Sequence, residues 1–169
     1  MNRKIKNITF MAIMTSAALI LSYIEHLLPP VFPAVPAVKI GLPNIVIIIL
    51  LYRLSFKEAF TVSILRVFLS SLLFGNFVTF LYSFSGAILS LAVMTLFKKF
   101  GIFSKIAVSI LGGIFHNIGQ IVVAIFVLET IEIAYYGIVL SLFGIISGLL
   151  VGCAGAIILK YFEKIKIKF

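Results

Sequence analysis

The sequence predicts an all-α integral membrane protein, a bundle of six transmembrane helices with the N- and C-termini both in the cytoplasm. Three observations predict it. Of 169 residues, 63% are hydrophobic and only 11% are charged, more apolar surface than a soluble domain of this size can hide. The apolar residues fall into six runs separated by short breaks, and the cations collect in alternate breaks. A hydrocarbon core of about 30 Å takes roughly 20 apolar residues per helical span, so the chain has room for about six spans and for no soluble domain. Residues 1–169 are expected to form a single transmembrane domain in the cell membrane.

The first span is expected at about 8–28. The basic stretch before it could mimic a signal peptide. The apolar run is long, however, and meets Pro29-Pro30 without a small-x-small cleavage site, so it reads as a retained helix. Pro29-Pro-Val-Phe-Pro-Ala-Val-Pro36 has four prolines in eight residues and cannot be a regular helix. The second span, about 42–54, is short for a bilayer. Either Val35–Gly41 extends it, or it starts with non-helical backbone facing a cavity. The third span is expected at about 58–74, ended by Gly75-Asn76, and the fourth at about 77–97. The fifth is expected at about 106–128 and the sixth at about 134–159.

Orientation follows from the basic residues. Arg3, Lys4, Lys6, Arg53, Lys57, Lys98, Lys99, Lys105, Lys160, Lys164, Lys166 and Lys168 all fall on one side of this arrangement. The other side has Lys39 and the acidic Glu129 and Glu132. The positive-inside rule places the first group, and both termini, in the cytoplasm. The net charge of +9 is thus a topology signal, and no nucleic-acid partner is expected. Cys153 is a lone cysteine in an apolar run and reads as a small packing residue.

Arg66 is the most informative residue. It falls near the middle of the third span, where a charge is costly unless it faces the bundle interior with a partner. The chain has no aspartate, and its glutamates are Glu25, Glu58, Glu129, Glu132 and Glu163. Glu58 is two turns away on the same helix, about 12 Å by helical rise. Glu25 is the one internal counter-ion the pattern allows. A guanidinium without a carboxylate suits an anionic ligand, because its fork matches carboxylate or phosphate; the structural alternative is that Arg66 ties helix-end carbonyls. Ser63 and Ser70 share its helix face.

The fifth span carries Gly112-Gly-Ile-Phe-His-Asn-Ile-Gly-Gln120. His116, Asn117 and Gln120 are three polar side chains within five residues of a membrane helix, which need partners or a cavity. They are candidate substrate-binding residues with Arg66, Ser63 and Ser70; Lys39 and Asn44 are candidates for the outer entrance. Gly144, Gly148 and Gly152 form a ladder for close helix packing. Ala12 and Ser16 repeat the small-x-x-x-small pattern in the first span, where a partner could dock.

Several chemistries are excluded. Clustered aspartates for Mg²⁺ and a phosphate-binding Gly-x-x-x-x-Gly-Lys loop are both missing, so no catalytic residue, cofactor or nucleotide site is expected. His26 is expected near the outer surface and the sequence has no Cys/His/Asp cluster, so no metal site is expected either.

Four segments carry a family resemblance: Gly41-Leu-Pro-Asn-Ile-Val46, Leu65-Arg-Val-Phe-Leu-Ser-Ser-Leu-Leu-Phe-Gly75, Ser85-Gly-Ala-Ile-Leu-Ser90 and Gly113-Ile-Phe-His-Asn-Ile-Gly-Gln120. They resemble the Gx transporter family, also labelled heptaprenyl diphosphate synthase component I, over nearly the whole chain. That family is similar to the substrate-binding S components of energy-coupling factor (ECF) transporters. The resemblance implies an S-component-like bundle, a small-molecule ligand, and partners consisting of an ECF-type transmembrane subunit and ATPases. It places Ala12 and Ser16 in the docking motif of the first helix. It also implies an isoprenoid, quinone-related or flavin-like substrate.

The leading expectation is therefore a substrate-binding membrane subunit of an importer, with the Pro29–Pro36 segment as its lid. Two readings stay open beside it. One is a non-catalytic accessory subunit of prenyl diphosphate or quinone metabolism, or of a membrane electron-transfer system. The other is a structural scaffold in which Arg66 and His116 only tie helices together.

Overall fold

The punctuation of the sequence becomes the boundaries of the helices. The computed structural model describes residues 3–29 and 40–165. These form α1 (Arg3–Leu27), α2 (Asn44–Arg53), α3 (Phe56–Phe74), α4 (Phe77–Phe100), α5 (Lys105–Leu128) and α6 (Tyr136–Lys164), with a 3₁₀ turn at Ile131–Tyr135 before α6. Ser55 caps α3 by accepting from the Lys57 amide, and Ser104 caps α5 by accepting from Ala107. Asn76 and Thr79 form a reciprocal capping box at the start of α4. Gly101 ends α4 in the left-handed conformation, φ 73°, which glycine adopts without steric cost.

The exterior is apolar, and polar side chains gather in the interior beside an apolar core. Ile8, Ile20, Phe68, Leu72, Phe126, Ile138, Leu150 and Ile157 are exposed, whereas Ser63, Arg66, Ser83, Ser90, His116 and Gln120 are buried. That distribution suits a hydrocarbon solvent, in which polar groups must find partners within the protein. Four segments are long and apolar enough to cross a membrane: Lys4–Leu27, Phe77–Phe100, Lys105–Leu128 and Ile131–Lys164. The chain is an all-helical membrane protein. The third helix, 19 residues long, carries Lys57, Glu58 and Arg66.

The second helix is shorter than the expected 42–54. It has 10 residues, about 15 Å by helical rise, and Ile40–Pro43 before it is not helical. Its environment explains why so short a helix is stable. Val46, Ile47, Ile48, Ile49, Leu50 and Leu51 are all buried, so every face of α2 meets protein and none needs to match the bilayer. It packs against α1, α3 and α6. At its C-terminal end the Lys98 ammonium donates to the Leu51 carbonyl, filling one of the acceptors that a helix end leaves open. The same end gathers Lys105 with Glu163 at 3.4 Å and Arg53 over the Phe162 ring. Residues 30–39, with Lys39 and most of the expected Pro29–Pro36 lid, lie outside the described residues.

The most extensive helix contacts are between α5 and α6 and between α4 and α5, and glycine makes both possible. A Cβ placed on Gly148 would sit 2.6 Å from the Ile110 Cα, and one on Gly144 would sit 2.8 Å from the Gly113 carbonyl oxygen. On the other side of α5, a Cβ on Gly119 would come within 2.8 Å of the Ser85 carbonyl oxygen. The Gly144–Gly152 ladder is thus an internal seam against α5. Gly137 differs, because a Cβ there meets only the Ile121 Cδ1 at 3.5 Å, ordinary contact. Gly148→Ala is therefore expected to destabilise the purified protein by about 1–3 kcal/mol, the usual cost of overpacking. Gly137→Ala is expected to stay within roughly 0.5 kcal/mol of the parent. Thermal unfolding of the two variants in the same detergent checks the contrast; equal losses would contradict the seam.

Candidate functional site

Arg66 is 3% exposed, in the middle of α3, with Ser63 and Ser70 buried on the same face. Its helix is placed by α1, α2 and α4, which all pack against α3. Ser70 is turned to its own helix, donating to the Val67 carbonyl at 3.1 Å. The Nε and Nη2 atoms of Arg66 are buried and have no hydrogen-bond partner among the described residues. These two nitrogens form the lateral fork of a guanidinium, the edge that grips both oxygens of a carboxylate or two of a phosphate. Buried donors left open are expensive, so the fork is the strongest local demand for an acceptor.

The carboxylate whose charge acts on Arg66 is Glu25 of α1. Glu25 is 7% exposed and is held in place by the backbone ahead of α2. It accepts from the Gly41 amide and, at 3.3 Å, from the Leu42 amide. Gly41 makes this bend with φ 88°, a conformation that favours glycine. The same glycine brings the chain against two expected site residues. A Cβ on Gly41 would stand 2.9 Å from the Asn44 side-chain nitrogen and 3.7 Å from the His116 ring. Glu25, Gly41, Asn44 and His116 thus adjoin one another at the start of α2.

His116 is clamped on its other side by α4. A Cβ on Gly86 would lie 2.9 Å from the His116 Nδ1 and Cε1 atoms, so only glycine leaves room for the ring. His116 Nε2 and Gln120 Nε2 are 3.1 Å apart, one helical turn from each other. Asn117 faces a different helix: it donates to the Leu140 carbonyl of α6 at 2.6 Å, while its Oδ1 is buried and lacks a partner among the described residues. The polar group on α5 is therefore split. His116, with Gln120 one turn along from it, faces α4 and the Gly41 bend; Asn117 joins α5 to α6.

A narrow cavity continues inward from Gly41 and Asn44 to Ser90, Met94, Ser109 and Ser147. About 10 Å³ of it is open to the centre of a water molecule, room for roughly one water. The Ser90 and Ser109 hydroxyls are buried and lack partners among the described residues. Sequence reasoning named Glu25 as the internal counter-ion of Arg66, which the structure bears out, but it missed this serine lining and Gly41 and Gly86 as neighbours of the site. The spacing Gly86–Ser90, one turn on α4, was the available signal; nothing local marks Ser109 or Ser147.

Lys39 lies outside the described residues. Ala12 and Ser16 are exposed on α1, with the Ser16 hydroxyl donating to the Ala12 carbonyl at 3.1 Å, so the pair faces away from the bundle. No group of three or more His, Cys, Asp or Glu side chains that could hold a metal occurs among the described residues.

Neither curated proteins nor solved structures match the chain. The model of one protein family, described as heptaprenyl diphosphate synthase component I, matches residues 14–158. The matched stretch includes Glu25, Asn44, Arg66 and the whole of α5, so the described site lies inside it. The chain belongs to the heptaprenyl diphosphate synthase component I family.

Proposed function

We propose that the protein is the substrate-binding membrane subunit of an importer, spanning the cell membrane six times with both termini in the cytoplasm. The observation that carries the reading is the open lateral fork of a buried Arg66. Arg66 binds the anionic group of the ligand. His116, Gln120 and Asn44 adjoin the polar part, with Ser63 and Ser70 beside Arg66, and Asn117 holds α5 to α6 behind them. Energy for transport comes from ATPase partners. They engage through an ECF-type transmembrane subunit on the exposed Ala12–Ser16 face of α1. Exposure of that small-residue pair on an outward face supports docking there.

A second reading has its own support, an accessory subunit that presents a lipid-borne substrate to a separate prenyl-diphosphate enzyme. The family description names such a synthase component. An open apolar groove of about 440 Å³ between α3 and α4, lined by Phe68, Leu72, Phe77 and Phe80 among others, could carry a hydrocarbon chain. Partner identity separates the two readings: ATPases for the first, a soluble aspartate-rich synthase for the second.

Arg66→Met is expected to weaken ligand retention at least about 30-fold, the loss of a charge-assisted fork worth roughly 2 kcal/mol. The fold should be kept. Mass spectrometry of compounds co-purifying from native membranes reads the first, and thermal unfolding reads the second. A variant that unfolds earlier yet retains the same compounds would identify Arg66 as a helix tie. For docking, Ala12→Leu with Ser16→Leu is expected to leave the thermal midpoint unchanged, since both residues are exposed. Recovery of ATPase partners in pull-downs from native membranes should fall at least about tenfold as the bulkier side chains block close helix approach. Undiminished recovery would remove the α1 face from the interface.

A further inference from the structure

Glu25 and Arg66 are the only Asp, Glu, Lys or Arg side chains among the buried described residues. Their helices pack together. The Tyr23 and His26 rings flank Glu25 on α1 and both meet the Phe74 ring of α3, at 5.0 Å and 6.4 Å. Those contacts set the Glu25 turn against the end of the helix that carries Arg66. Glu25 is also fixed there. Two backbone amides, Gly41 and Leu42, donate to one of its oxygens. The Glu25 carboxyl group therefore cannot swing aside without releasing the bend before α2. In an interior of low polarity charges interact more strongly than in water, and the Glu25 charge acts on Arg66.

Resting on the reading of Arg66 as the anion anchor, we infer that this site selects a singly charged head group, a carboxylate or its equivalent, and that Glu25 is the residue that rejects more highly charged heads such as diphosphates. The Arg66 fork offers two donors to two oxygens, which a carboxylate fills completely. A diphosphate would bring further negative charge into the same interior, and Glu25 would repel each added unit. Specificity here comes from a built-in repulsion as much as from the attractive fork. Glu25 is thus a specificity-determining residue on a different helix from the anchor.

The test uses two soluble probes with the same C15 prenyl chain, one ending in a carboxylate and one in a diphosphate, titrated against the purified full-length protein in detergent. The wild type is expected to bind the carboxylate at least tenfold more tightly than the diphosphate. Glu25→Gln, which keeps an oxygen for the Gly41 and Leu42 amides, is expected to shrink that ratio to threefold or less. Glu25→Asp, which keeps the charge, should preserve the preference. A wild type that prefers the diphosphate, or a Glu25→Gln protein with an unchanged ratio, overturns the role of Glu25. If the glutamine variant does not fold, the wild-type ratio alone decides. Binding of neither probe, or binding unaffected by Arg66→Met, overturns the anion anchor itself and the inference with it.

Discussion

A guanidinium sunk among helices whose outer faces are hydrocarbon is the constraint to which the rest of this structure responds. It is buried, and its lateral nitrogens meet no acceptor among the described residues. An ionised side chain in such a place is tolerated where a fixed opposite charge stabilises it. Glu25 supplies that charge, and the backbone holds Glu25 through Gly41 and Leu42. The bend at Gly41 is then the point where electrostatics and chain path meet. Moving the bend would move the carboxylate, and moving the carboxylate would leave Arg66 alone.

The short second helix follows from the same arrangement. A helix that begins at this polar level and ends at the basic level, where Lys98 meets Leu51, need not match the bilayer. It survives because it is enclosed: six consecutive apolar side chains are buried against neighbours. Were α2 on the periphery, ten residues would leave its ends in hydrocarbon with open donors and acceptors, which a membrane does not tolerate. Its central place thus lets Ile40–Pro43 be non-helical inside the protein.

Much of this was legible in the sequence, and the reasons divide cleanly. Helix number and order follow from hydrophobic runs and from the break at Gly75-Asn76, signals that act within a few residues. Arg66 and His116 stood out because charge and hydrogen-bonding groups are costly in an apolar run, wherever they end up. The Gly144–Gly152 ladder announced close packing but not its partner, which is α5. The partners were the illegible part. Nothing within a few residues of Glu25 tells that Gly41 and Leu42, 16 and 17 positions later, will donate to it. Nor does α5 reveal that His116 and Asn117, adjacent in sequence, turn to different helices. Of the two readings left open for the start of α2, the structure has the non-helical one, with a turn at Leu42 and Pro43 before the helix; hydropathy, which counts apolar residues, could not choose between them.

The two sides of the bundle are built differently, and the candidate site lies where they meet. Helices α4, α5 and α6 approach at glycine-backbone distances, a geometry with little room for rearrangement because backbone atoms already touch. Helices α1, α2 and α3 make less extensive contacts, through side chains that can change rotamer. Arg66 and Glu25 belong to the second group and His116 and Gln120 to the first, with Gly41 between them. A ligand held by Arg66 and His116 together would therefore tie the looser half to the rigid one, through contacts absent without it. Such a ligand stabilises only the arrangement in which both halves face it, so its binding energy favours that arrangement in proportion to the difference in contacts. The outward Ala12–Ser16 face is on α1, in the looser half and on the same helix as Glu25. On the proposed reading, occupancy of the site and presentation of that face would be linked through one helix, with Glu25 near its end and the small-residue pair at its middle.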